Sequence, residues 1–286
     1  MDLNNRREFL KKVTGTIGSL LLANCGRIVT RGKPKLGIQL YTVRDEIKND
    51  LEGTIKNVAE IGYEGVETYF FPQEIALGDA ARLLKKYGLE VFAMHSELPV
   101  TREQKDNVLR RAEAYNSKNV VWHGWPETER FATLEKTKQT VERYNRANEF
   151  LRQNGLKLGL HNHWWEFEKQ NGYRPFYYLL EHLDPSIFFE IDVYWTQTGG
   201  VDPVKAIKDF GKRAPLIHIK DGPATVGEPV HEQVAIGQGN VDIKACAKAA
   251  RDTADWLIVE LDECESDIFK VISDSYKYVR RNNLAV

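Results

Sequence analysis

From Lys35 onward the chain changes its hydrophobic period again and again, always in the same order. A short apolar run reads as a strand, and a longer stretch with apolar residues three or four apart then reads as a helix. The strands fall at Leu36–Tyr41, Gly65–Tyr69, Leu89–His95, Asn119–His123, the run opening at Leu156, Ile187–Asp192, Ala214–Lys220 and Trp256–Asp262. Helical periods fill the gaps at Asp45–Ile61, Ala76–Tyr87, Glu103–Asn116, Thr133–Gln153, Arg174–His182, a segment starting at Asp202-Pro203, Asp242–Thr253 and Asp267–Arg281. Gly62, Gly88 and Gly155 stand at helix stops, and Pro203 sits in a first turn, where a missing N–H costs nothing. Strands this uniformly apolar are buried on both faces, which implies parallel pairing. Eight such units make a single (β/α)8 TIM barrel over residues 35–286, close to the usual size of about 250 residues. A doubly wound sheet is the alternative, disfavoured because no Gly-x-Gly-x-x-Gly follows any strand.

Composition narrows the function classes. A net charge of -1 across 286 residues, with no long basic block, argues against nucleic acid as a partner. Cys25, Cys246 and Cys264 form neither a disulfide framework nor a zinc motif. No stretch reaches the roughly 18 apolar residues of a membrane span. Residues 1–30 read as an export leader: charged Asn5–Lys12, then an apolar run from Val13 to Ala23, then Cys25. Arg6-Arg7-Glu8-Phe9-Leu10-Lys11 resembles the twin-arginine motif, implying export to the bacterial periplasm or cell envelope. Leu21-Leu-Ala-Asn-Cys25 is an imperfect lipobox, a weak signal for a lipid anchor at Cys25.

In a barrel of this kind, catalytic groups come from the C-terminal ends of several strands. Here those ends carry Glu67, His95, His123, His161 with His163, Asp192, His218 with Lys220, and Glu260 with Asp262. Five of the chain's 7 histidines therefore sort to one end of the fold. Asp192, His218 and Glu260 end neighbouring strands, and His161 from the strand before them completes an arc. Two imidazoles and two carboxylates suit a divalent ion such as Mn, Zn, Co or Fe, with Mg less suited. Trp122, Trp125, Trp164, Trp165 and Trp195 lie close to strand ends, where an indole can stack on a sugar ring. Rim aromatics that merely pack the loops are the competing reading. Lys220 is a candidate for stabilising a developing oxyanion, with a salt bridge as the alternative. Glu67 and His123 join Trp165, Trp195 and Lys220 as candidate substrate contacts. The Gly-containing loop Gly222–Asn240 is either a closing lid or an irregular surface segment.

Several segments together carry a family likeness: Leu160-His-Asn-His-Trp-Trp-Glu-Phe167, Glu190-Ile-Asp-Val-Tyr-Trp195 with Gly199-Gly200, His218-Ile-Lys-Asp221, Gly237-Gln-Gly-Asn-Val-Asp242 and Val259-Glu260. From Lys35 to the C-terminus the chain resembles the xylose isomerase-like barrels, a superfamily of sugar isomerases and epimerases that includes endonuclease IV-like members. The resemblance implies a divalent metal on residues ending strands five to eight, and carries over to Asp192, His218 and Glu260. At the strand-five position the superfamily usually has a glutamate, where this chain has His161-Asn162. In the epimerases that glutamate is also an acid/base group. Members similar to myo-inosose dehydratases carry histidines on this strand, which keeps elimination and hydration open.

The chemistry that the resemblance implies is proton transfer at a carbon next to a carbonyl, with His163, Glu166, His95 and Glu260 as candidate acid/base groups. The leading expectation is a metal-dependent isomerase or epimerase of a small carbohydrate. A lyase or hydratase acting on keto-sugars or 3-keto-glycosides comes second, and a non-enzymatic carbohydrate-binding barrel third. A homo-oligomer is compatible with all of them. An endonuclease IV-like role is disfavoured by the near-neutral charge and by too few extra His and Asp residues for a three-metal cluster.

Overall fold

The structure, a computed structural model, describes residues 32–125, 128–170, 172–229 and 232–286. The candidate leader with Arg6 and Arg7, and the possible lipidation site Cys25, lie outside the described residues. Eight strands pair in parallel in chain order: β1 (Lys35–Gln39), β2 (Gly65–Thr68), β3 (Glu90–Ser96), β4 (Asn119–Trp122), β5 (Lys157–His161), β6 (Phe188–Asp192), β7 (Leu216–Ile219) and β8 (Trp256–Val259). β8 pairs with β1, so the sheet closes into the expected (β/α)8 barrel.

Ten helices connect the strands among the described residues: α1 (Arg44–Asn49), α2 (Leu51–Ile61), α3 (Leu77–Lys86), α4 (Arg102–Tyr115), α5 (Leu134–Gln153), α6 (Pro175–His182), α7 (Val193–Thr198), α8 (Pro203–Phe210), α9 (Ile243–Ala250) and α10 (Ile268–Arg281). Two differ from the sequence reading. The helix expected over Asp45–Ile61 breaks at Asp50, which is extended (φ -149°, ψ 90°) and accepts a hydrogen bond from Gly53 N to cap α2. The short α7 was not anticipated. It starts directly after β6, and its N-cap is Asp192, whose carboxylate accepts from Trp195 N at 2.9 Å.

Alternation along the strands divides the core. Outward residues such as Leu36, Ile38, Leu158, Leu160, Ile217 and Ile219 are buried under the helices. Each such side chain contributes about 1.5–3 kcal/mol by leaving water. Inside the barrel, a second apolar cluster of Phe92, Ala93, Val121, Phe188, Leu216, Trp256 and Ile258 forms the floor. Phe92 and Trp256 stack there with centroids 4.1 Å apart. Glycine makes room for these rings: a Cβ on Gly159 would lie 2.3 Å from the Phe188 ring, and one on Gly37 2.5 Å from Phe92.

Among the described residues of the segment after β7, one side chain gathers both ends. The Asp221 carboxylate is fully buried and accepts from the backbone N–H groups of Gly222, Gly237, Gly239 and Val241 at 2.8–3.1 Å. Asn240 N also donates to Gly222 O at 2.8 Å. Both ends of the segment are thus tied to the end of β7, the geometry of a fixed loop and not of a hinged lid.

Candidate active site

Above the floor, the inward positions of the same strands become polar. Residues two apart on β6 and β7 give Glu190 then Asp192, and Leu216 then His218, with Lys220 just past the strand end. Glu260 and Asp262 follow β8 in the same way. The register places His161 beside Glu190 and Asp192 beside His218.

His218 is central to the resulting cluster. Its Nε2 lies 2.8 Å from Glu67 Oε2 and 3.1 Å from Glu190 Oε1, and its Nδ1 lies 2.9 Å from Glu260 Oε2. Glu190 Oε1 is also 2.8 Å from His95 Nε2 and 3.1 Å from His161 Nδ1. Lys220 Nζ contacts Asp192 Oδ2 at 3.2 Å, Glu260 Oε2 at 2.7 Å and Asp262 Oδ2 at 2.6 Å.

Burial sets the direction of most titrations here, and neighbouring charges then reverse several of them. Burial and the Glu190 charge push Glu67 up to about 7, and burial pushes Asp192 up to about 6 against the Lys220 charge. Burial would raise Glu190 too, but the His218 and His95 charges hold it well below the carboxylate range. Glu260 behaves likewise beside Lys220 and His218. Burial opposes charge on His218, yet Glu190 and Glu260 push it well above the usual imidazole value. Burial brings His161 down to about 4 and His123 to about 3, and it holds His163 well below its usual range.

The four expected ligands come together. One nitrogen or oxygen from each of His161, Asp192, His218 and Glu260 lies within 4.8 Å of the others, and all four residues are buried. A second set, His95, His161, Glu190 and His218, meets the same limit one layer deeper. Glu190 Oε2 is buried without a hydrogen bond, and Asp192 Oδ2 has none beyond its ion pair with Lys220, so acceptor capacity is left over beside the cluster. Paired imidazole and carboxylate donors, with His161 held neutral, fit a borderline divalent ion.

A cavity of about 560 Å³ opens above this cluster, lined in part by His95, His123, His161, His163 and Glu260. Other expected site residues stand elsewhere. Glu166 is buried in an ion pair with Arg130 and accepts from His163 N at 2.9 Å, so it fixes the loop after β5 and does not face the cavity as a base. Trp195 is fully buried, and Trp165, 4% exposed, lies stacked on the His163 ring with centroids 4.4 Å apart. Neither indole lines the mouth: Trp165 backs the His163 ring, and Trp195 lies deeper with the Lys220 ammonium 5.2 Å from its ring centroid. Glu67 and Lys220 are fully buried in the charged layer, where they contact ligand candidates and do not line the cavity.

The sequence reading left Glu190 without a role, although strand alternation two residues before Asp192 pointed to it. It also passed over Tyr41, Tyr69 and Phe70, which follow β1 and β2 and line the mouth with Trp125.

The xylose isomerase-like TIM barrel family matches residues 55–281. No curated protein sequence matches the chain significantly. Among solved structures, a sugar phosphate isomerase/epimerase from Parabacteroides distasonis is 24% identical with a TM-score of 0.73, covering 91% of this chain and 97% of that one. A probable 3-DHS dehydratase involved in petrobactin synthesis from Bacillus anthracis is 14% identical (TM-score 0.70; 86% and 98% covered). The IOLI protein with a bound zinc atom is 17% identical (TM-score 0.63; 87% and 96% covered). At these identities the likenesses establish the fold. With the family match spanning most of the barrel, the chain belongs to the xylose isomerase-like TIM barrel family.

Proposed function

We propose that this chain is a divalent-metal-dependent isomerase or epimerase of a sugar or keto-sugar, moving a proton at a carbon next to a carbonyl. The observation that carries this reading is the convergence of His161, Asp192, His218 and Glu260, from four consecutive strands, beneath an open mouth. Bound on those residues, Mn, Zn, Co or Fe supplies Lewis acidity toward the substrate's carbonyl oxygen. His163 is the base. Its ring lines the cavity, burial keeps it neutral, and stacking on Trp165 fixes its plane there. His95 faces the cavity too, but its Nε2 is engaged by Glu190, so it holds the ligand layer in place. Glu260, engaged with His218 and Lys220, serves as a ligand and as a stabiliser of nearby positive charge.

The test is hydrogen exchange. Metal-loaded protein is incubated with a panel of ketoses and aldoses in D₂O and followed by NMR. Deuterium enters next to the carbonyl of at least one sugar, and His163→Ala slows this by about a hundredfold or more with metal content intact. No exchange with any sugar, in protein holding one metal per chain, sinks the reading.

A second reading, a lyase or hydratase, is favoured by His161. Histidine there leaves one free base at the cavity, enough for elimination beside a keto group. Inverting a centre calls for proton groups on both faces. The same spectra separate the two, since elimination yields a product without the leaving group. We also propose export through the twin-arginine route, on the Arg6-Arg7 motif. Retention of Arg6→Lys/Arg7→Lys protein in the cytoplasm, with the unsubstituted protein outside it, is the expected fractionation result.

A further inference from the structure

The mouth is built unevenly. The inner part is imidazole and carboxylate, while the outer part carries Tyr41, Tyr69, Phe70 and Trp125 from the segments after β1, β2 and β4. Among the described residues, Tyr41, Phe70 and Trp125 are the aromatic side chains most open to solvent, at 36%, 41% and 46%. All three line this one cavity. They are set against it by edge-on contacts: Tyr41 on Tyr69 at 5.7 Å and Phe70 on His123 at 5.7 Å, with Trp125 tilted 5.3 Å from Trp165. Exposed aromatics gathered at one mouth mark a binding surface and not leftover core.

Charge narrows the ligand. The described lining includes Glu260, Asp262 and Glu263 and no Lys or Arg. Nearby cations are engaged by other groups and stand outside the lining. Arg111 packs over the Phe70 ring and donates to Tyr69 O, Arg44 packs over the Tyr41 ring at 4.2 Å and donates to Tyr41 O, and Lys220 is held by three carboxylates. A phosphate dianion would meet acidic oxygens here and find no fork of donors. The volume, about 560 Å³, lies in the range of pockets that enclose drug-sized ligands, and one sugar ring held at His161 and Glu260 leaves the aromatic part uncovered.

We propose that the substrate is an uncharged glycoside. Its reacting sugar ring lies over His161, His163 and Glu260, and a second ring, aryl or sugar, stacks on Tyr41, Phe70 and Trp125. This rests on the proton-transfer reading for the inner half but is tested by binding alone. Purified, metal-loaded protein is titrated with methyl and phenyl glycosides of a panel of hexoses, with the matching disaccharides, and with the hexose 6-phosphates, using saturation-transfer NMR and calorimetry.

For at least one sugar, the phenyl glycoside or the disaccharide binds tenfold or more tighter than the methyl glycoside. Which of the two does so identifies the second ring. Phe70→Ala and Trp125→Ala reduce that ratio below threefold, while Leu134→Ala, an exposed apolar residue outside the cavity lining, keeps it. Tighter binding of a 6-phosphate than of its parent sugar, weakening with salt, overturns the proposal. Equal binding of methyl, phenyl and disaccharide ligands across the panel also overturns it. Failure of the proton-transfer reading shows up separately, as ring-dependent binding without deuterium exchange.

Discussion

The barrel interior has two storeys built on opposite principles. The floor is aromatic and apolar, with Gly37 and Gly159 giving up side chains so that Phe92 and Phe188 can fill the space. The layer above packs Glu67, His95, His161, Glu190 and His218 into the same cross-section, all at or below 8% exposure. Burying the floor stabilises the fold directly. Burying the charged layer costs desolvation that its internal pairing offsets only in part. One storey is there for stability, and the other gathers the side chains that could hold a metal.

That contrast can be broken or sharpened by substitution. The largest effect is expected on the floor. Gly159→Val would place a branched side chain where even a Cβ meets the Phe188 ring at 2.3 Å. Overpacking of this kind costs about 3 kcal/mol, a melting-temperature drop on the order of 10 °C, with metal bound per folded molecule unchanged. An unaltered melting temperature would show that the floor is not tightly packed.

In the upper storey the effects should invert. His161→Ala lowers metal affinity by about a hundredfold, measured by competition with a chromophoric chelator, with a smaller thermal shift than Gly159→Val. Metal affinity equal to that of the unsubstituted protein would remove His161 from the ligand set. Glu190→Gln keeps an acceptor under His95, His161 and His218 but removes its charge. A loss of about tenfold in affinity is expected, because a carboxylate behind a ligating imidazole raises its basicity.

The last effect appears only on acidification. His123 stands at the edge of the charged layer, accepts from Trp125 N at 3.1 Å, and has its pKa brought down to about 3 by burial and by the His95 and His161 charges. Its folded-state value lies below that of the unfolded chain. The stability it contributes is therefore present above about pH 6.5 and lost as pH falls, by up to about 1.4 kcal/mol per pH unit. His123→Gln, which keeps an acceptor for Trp125 N, should flatten the acid limb of stability against pH by about that slope. An unchanged limb would mean that His123 takes up its proton in the folded protein.

The barrel was legible because two periods alternate along one chain, and strand alternation then placed His161, Asp192, His218 and Glu260 on one interior face. Attention to strand ends alone hid Glu190, which lies one inward step deeper and shares its oxygen with three histidines. The short α7 was hidden because its cap, Asp192, is also a candidate ligand, and a side chain with two duties gives one signal. Trp165 and Trp195 looked like stacking platforms because they lie close to strand ends. Whether an indole faces solvent is settled by long-range packing, and here both were turned inward behind the lining. The aromatic rim from Tyr41, Tyr69, Phe70 and Trp125 gave no periodic pattern, since each comes from a different irregular segment.

Asp221 has a consequence for how this barrel can be rebuilt. Four backbone donors converge on its carboxylate, so the path of the following segment is fixed at Gly222, Gly237, Gly239 and Val241. Between those points, Gly227 N donates to Thr198 O at 2.9 Å and Val234 N to Asp221 O at 3.0 Å, while Val226 is 64% exposed. Doubling the length of a flexible insert adds only about 0.6 kcal/mol of closure entropy. Foreign sequence grafted at Val226–Gly227 would give up the Gly227–Thr198 hydrogen bond, while the Asp221 carboxylate keeps both ends of the graft pinned.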